Sequence, residues 1–277
     1  MKTYSFVGSN KNAGKTTAFK YVSRILAEKN HRLALTSIGI NDISKPILLF
    51  KKGMRIVTTP VHLAKHHGIV RILEVFGPPK FGKRYVFVEA LQDLHLILEG
   101  PNSKGEVIDL KQALFQHKNV DFLLIDGAID RLFLADPKIS DGFFFSLLVS
   151  DQKEQRRRID LIIKAFACSK IEDTHPLYEL DLAKFKSIVL DDTKILYCSE
   201  IPGFMDVELH RVLQTMPQQK GQIYLNGAFT DVLAGLCVGL NRVILNNFTQ
   251  LQTEKFSGAL MFLNHPKLVR FFVRNLS

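Results

Sequence analysis

Near the start of the chain, Gly8-Ser9-Asn10-Lys11-Asn12-Ala13-Gly14-Lys15-Thr16-Thr17 combines small side chains, two lysines and adjacent hydroxyls in a spacing suited to holding phosphate. A loop of small residues lets successive backbone N–H groups turn toward an anion. A helix starting directly after it adds the positive end of its dipole. On this reading Asn10, Lys11, Asn12, Ala13, Gly14, Lys15, Thr16 and Thr17 form the cradle. Lys15 reaches the terminal phosphates, and the Thr16 hydroxyl ligates Mg2+. Gly14 is required because a Cβ there would crowd the closest approach of backbone to ligand. One position departs from the usual Gly-x-x-x-x-Gly-Lys-Ser/Thr pattern: Ser9 stands five residues before Gly14, with Gly8 just ahead of it.

A magnesium-phosphate site also needs an acid, normally at the tip of a neighbouring strand. Phe122-Leu123-Leu124-Ile125-Asp126-Gly127-Ala128 has that form. Asp126 is therefore the expected metal-holding acid and, with Lys15, the expected catalytic pair. Gly127 and Ala128 leave room beside it. Asp130 and Arg131 either orient an attacking water or form a surface turn. Asp42, in Thr36-Ser37-Ile38-Gly39-Ile40-Asn41-Asp42, is a further metal or switch candidate, and Thr36 and Ser37 could add hydroxyls at the same mouth. His62, His66 and His67 cluster in sequence, and a helix there would put His62 and His66 on one face. Without a partner acid, solvated histidines are favoured over zinc.

Positioning these groups requires alternating strands and helices. Residues 4–7 read as a buried strand, 15–29 as an amphipathic helix and 32–38 as a second strand. Residues 39–82 carry Pro46, Pro60, Pro78 and Pro79, which break up long elements. Residues 85–90 and 94–98 are expected to pair as a hairpin-like insertion. Helix 107–117, strands 120–126 and 143–149 and helix 152–166 complete an α/β pattern with a mostly parallel sheet flanked by helices. Residues 172–186 read as a polar linking stretch. Shorter strands and helices follow, to about residue 263. The expected division is a nucleotide-binding domain over 1–171 and a C-terminal α/β region over 172–277, either a smaller lobe or an extension of the first sheet.

The 277 residues, 46% hydrophobic and 10% aromatic, suffice for one large or two moderate cores. No apolar run approaches the roughly 18 residues of a membrane span. The apolar start is too brief for a signal peptide, so the expected location is cytoplasmic. Cys168, Cys198 and Cys237 are too far apart for a close metal-binding pair or a disulfide framework. The net charge of +10 favours anionic partners. Its basic residues, such as Lys51-Lys52 and Arg156-Arg157-Arg158, lie in small groups without interleaved aromatics, which argues for solvated faces over a nucleic-acid groove.

Three segments together resemble the branch of P-loop nucleotide-binding proteins containing dethiobiotin synthetases, partitioning ATPases and metallocentre-insertion GTPases. These are the loop at residues 8–17, the Leu35-Thr36-Ser37-Ile38-Gly39 strand exit and Ile125-Asp126-Gly127-Ala128-Ile129-Asp130-Arg131. Within that branch they are most similar to the small subunits of the reactivase for lysine 5,6-aminomutase, a B12-dependent enzyme. Tyr224-Leu225-Asn226-Gly227-Ala228-Phe229-Thr230-Asp231 fits the same group. The resemblance implies the P-loop NTPase fold and a nucleotide-driven helper of a protein partner. It leaves homodimerisation open.

The chain has no Asp-x-His-x-x-Gly signature, so direct cobalamin binding is not expected. Nor does it have an Asn-Lys-x-Asp guanine-reading motif; Ser169-Lys170-Ile171-Glu172 is only a distant echo. ATP is thus favoured over GTP. The alternative is an ATP-dependent small-molecule enzyme, such as a dethiobiotin synthetase-like ligase or a kinase. A nucleic-acid-associated ATPase is motivated by charge alone.

Overall fold

The Gly8–Thr17 sequence is placed by the first three elements of the chain: strand Lys2–Gly8 (β1), helix Lys15–Glu28 (α1) and strand Leu33–Ser37 (β2). The computed structural model describes residues 1–10, 12–39, 48–78, 81–116, 119–127, 132–149, 153–216, 221–265 and 267–275. β2 is buried along its whole length, as a strand covered on both faces must be. α1 turns Ala18, Phe19 and Ser23 inward at helical spacing. Phe19 meets Phe6 of β1 edge to face, with centroids 5.4 Å apart. Each such buried ring stabilises the fold by roughly 1.5–3 kcal/mol. The helix stops at Asn30, which takes a left-handed conformation (φ 59°) while the His31 N–H closes on the Leu26 carbonyl at 3.1 Å.

Next come Leu48–Phe50 (β3), Arg55–Thr58 (β4), the single turn Pro60–Leu63 (α2), Val70–Phe76 (β5), Tyr85–Ala90 (β6) and Leu94–Leu96 (β7). Helix Lys104–Gln116 (α3) and strands Phe122–Asp126 (β8) and Gly142–Val149 (β9) follow. The remaining elements are Lys153–Ala167 (α4), Ser169–Lys170 (β10), Ser187–Asp191 (β11), Lys194–Ser199 (β12), Val207–Thr215 (α5), Gly221–Leu225 (β13), Asp231–Leu236 (α6), Arg242–Asn247 (β14), Ala259–Asn264 (β15) and Leu268–Asn275 (β16).

These elements form two compact units, residues 1–150 with 267–277, and residues 151–266. In the first, the described strands make an eight-stranded sheet in the order β16-β9-β1-β8-β2-β4-β6-β5. From β16 to β4 all neighbours are parallel; β6 runs antiparallel to both β4 and β5. In the second unit the order is β10-β15-β14-β13-β11-β12, parallel from β10 to β13 and antiparallel beyond. The chain is thus α/β, with large, mostly parallel mixed sheets flanked by helices. Among the described residues no helix is long and apolar enough to cross a membrane.

Several expectations are corrected. The division falls at residue 150 rather than 171, which moves α4 into the second unit, and β16 returns to the first sheet. Residues 172–186 are not a linker: Leu177 is fully buried, and Leu180, Leu182 and Phe185 pack on the second core. Their polar neighbours mask this handful of anchors in a sequence average. Residues 85–90 and 94–98 do not pair with each other. β6 is buried along most of its length and takes partners on both edges, whereas β7 pairs with β3.

Candidate functional site

β1 lies between β8 and β9, and β8 separates it from β2. Chain order and spatial order therefore part at β1, the kind of switch point where open parallel sheets leave a crevice at their carboxyl ends. The loop after Gly8 opens there. Register places Asp126 opposite Phe6 on one side and Ser37 on the other, at the tip of β8.

The loop is anchored from its first residue. The Ser9 N–H donates to the Ser146 carbonyl at 3.0 Å, and the Ser9 hydroxyl accepts from the Leu148 N–H at 3.0 Å. The departure from glycine at this position thus fastens the loop to β9. Asn12 (φ 66°) and Gly14 (φ 92°, ψ 14°) both take left-handed conformations before α1 starts. The Arg274 guanidinium holds the Asn12 carbonyl at 2.9 Å. Lys15 is 8% exposed, and its ammonium donates to the Asn10 carbonyl at 2.9 Å. A Cβ on Gly8 would lie 2.8 Å from Lys15 Cγ and 3.0 Å from the Ser146 oxygen, so glycine makes room for the lysine stem.

Thr16, at the start of α1, donates its hydroxyl to Asp126 Oδ2 at 3.0 Å across a sequence separation of 110 residues. Asp126 is 1% exposed. Gly127 follows it in a space with no room for a side chain: a Cβ would come 2.1 Å from the Phe6 oxygen, to which the Gly127 N–H itself donates at 2.9 Å. A buried carboxylate, a hydroxyl, an ammonium and a helix N-terminus therefore share one strand-loop-helix crevice. Such a donor set suits an anion next to a hard divalent cation.

Not every expected residue reaches this crevice. Thr36 and Ser37 are buried, and they spend their hydroxyls on the carbonyls of Val57 (3.2 Å) and Gly39 (2.8 Å). They serve the crossing of β2 by Gly100, whose hypothetical Cβ would stand 1.9 Å from the Ser37 oxygen. Lys11, Asp42 and the segment 128–131, including Asp130 and Arg131, lie outside the described residues. α2 ends at Leu63, so it does not align His62 with His66, and among the described residues no cluster of three metal-ligating side chains occurs.

His62 instead belongs to a polar knot that its sequence neighbours did not announce. Its Nε2 lies 2.8 Å from Glu99 Oε2, which also accepts from the Thr59 hydroxyl at 3.0 Å, while Lys83 pairs with the other carboxylate oxygen. Long-range contacts bring these four residues together: β4 pairs with β6, and the Thr58 hydroxyl donates to the Ile97 carbonyl and accepts from the Glu99 N–H. Burial pushes the Glu99 carboxyl up, but the hydrogen bonds from Lys83, Thr59 and His62 outweigh it and hold it below the ordinary glutamate range. A folded value below the unfolded one, about 4.3, means that ionised Glu99 stabilises the fold above that pH. The contribution disappears as the pH falls through the folded value. Glu99→Gln should therefore lower the unfolding free energy from urea titration at pH 6 by about 2 kcal/mol and flatten its decline toward pH 3.5. An unchanged pH slope in the variant would remove this assignment.

The three cysteines are free thiols, and burial pushes all three up, Cys237 to about 12, which disfavours the reactive thiolate form. Compared with known proteins, the chain matches no protein-family model, no curated protein and no solved structure.

Proposed function

We propose that the chain is a P-loop nucleotide-binding protein, a Mg2+-dependent nucleoside triphosphatase that acts as an assembly or reactivation factor for a partner enzyme. The observation that carries the nucleotide reading is the convergence of Lys15, Thr16 and Asp126 beside a loop with left-handed residues at Asn12 and Gly14. Lys15 and the N–H groups at the start of α1 face the anion, and Thr16 with Asp126 would hold the metal, which screens phosphate charge when bound. ATP is favoured over GTP. The helper role rests on the resemblance of the loop, the Leu35–Gly39 exit and the Ile125–Arg131 segment; the partner it suggests is a B12-dependent aminomutase.

Turnover separates this role from that of a small-molecule ligase or kinase. Purified protein with Mg2+ and ATP should hydrolyse slowly, and the rate should change when the protein fraction of a cell extract is added. Stimulation by the small-molecule fraction alone would replace the factor reading with that of a metabolic enzyme.

A further inference from the structure

The carboxyl-terminal strand bears directly on what the phosphate loop holds. A cleft of about 810 Å³ is lined by Ala13, Gly14, Thr17, Ala18 and Tyr21 on one side and by residues 270–274 of β16 on the other. It is of small-ligand size. It begins at Gly14 and Thr17, where the loop becomes helix, so a ligand anchored by phosphates in the loop can extend into it without crossing the sheet.

Strand alternation puts Arg270, Phe272 and Arg274 on one face of β16. Phe272 forms the apolar floor against Phe144 (6.0 Å) and Tyr21 (6.3 Å). Tyr21 remains 43% exposed even though Phe272 meets it edge-on and the Arg24 guanidinium lies 6.0 Å from its ring. Arg270 is exposed and, among the described residues, has neither a carboxylate nor a hydrogen-bond partner. Arg274 is committed to the Asn12 carbonyl, which ties the strand to the loop. An aromatic ring and an unclaimed guanidinium flanking an apolar floor are a stacking platform for a flat heterocycle. The described lining contains no carboxylate or side-chain amide to read the donor edge of guanine.

We infer that β16 completes the nucleotide site: the nucleoside of a purine triphosphate lies in the α1–β16 cleft, stacked by Tyr21 and Arg270, with ATP bound at least as tightly as GTP. This rests on the phosphate-site reading above and adds the part of the ligand that reading leaves unplaced.

The test compares ATP with inorganic tripolyphosphate, which has the phosphates and lacks the nucleoside, by calorimetric titration of the full chain with Mg2+. Wild type should bind ATP at least tenfold more tightly than tripolyphosphate. Tyr21→Ala and Arg270→Gln should each weaken ATP about tenfold and change tripolyphosphate less than threefold. Arg270→Gln guards against a folding artefact, because its exposed side chain supports no described contact. If wild type binds ATP no more tightly than tripolyphosphate, if both variants bind ATP like wild type, or if GTP binds more tightly than ATP, the cleft assignment is overturned while the phosphate site stands. If wild type binds neither ATP nor tripolyphosphate, both the assignment and the nucleotide reading fall.

Discussion

Lys15→Ala is expected to reduce ATP affinity by about two orders of magnitude, to a level where titration at micromolar protein shows no saturable binding. The lysine's ammonium donates to the carbonyl of Asn10 in the loop itself. Its stem passes Gly8, where a Cβ would collide with it, so the backbone is built around this side chain. A charge-assisted hydrogen bond to a partly desolvated phosphate contributes roughly 1.5–3 kcal/mol, and about 2.7 kcal/mol corresponds to a hundredfold loss. Lys15→Met separates charge from packing, since it keeps an unbranched stem over Gly8. Both variants should melt within a few degrees of wild type while losing ATP. A Lys15→Met protein that binds ATP with wild-type affinity would dismiss the phosphate-site assignment.

For Asp126→Asn the expected result is a dissociation: nucleotide binding within about threefold of wild type, and hydrolysis reduced about a hundredfold or more. The amide retains the shape of the carboxylate and can still accept from the Thr16 hydroxyl, so the loop and the start of α1 keep their geometry. What it lacks is the negative charge needed next to a hard cation. A hundredfold rate loss corresponds to about 2.7 kcal/mol of transition-state stabilisation, a modest demand on a metal's charge screening. Single-turnover hydrolysis with saturating Mg2+ and ATP would measure it. Hydrolysis at the wild-type rate would remove Asp126 from the metal site and leave only a strand-end residue.

Much of the local architecture was legible because it depends on short-range chemistry. The loop at 8–17 declared itself by residue type and by lying between an apolar strand and an amphipathic helix. The element edges then fell within a few residues of those expected, as with α1 at Lys15–Glu28 and β8 at Phe122–Asp126. β5 was missed because it is an edge strand with Arg71 and Glu74 and an exposed, weakly patterned surface. β16 carries a readable alternation, Val269, Phe271 and Val273, but it lies beyond the last helix-strand unit that had suggested the end of the fold.

The sequence by itself determined the small-residue composition of the Gly8–Thr17 loop, the acid at the tip of a buried strand and the α/β alternation, since each follows from side-chain type within a few residues. Only the tertiary structure decided which strand lies beside which. It put β8 between β1 and β2, so that Asp126 meets Thr16; it joined Thr59, His62, Lys83 and Glu99 in one knot; and it returned β16 to the edge beyond β9. Such pairings are selected by the burial of whole strands against distant neighbours, and no local pattern records the partner.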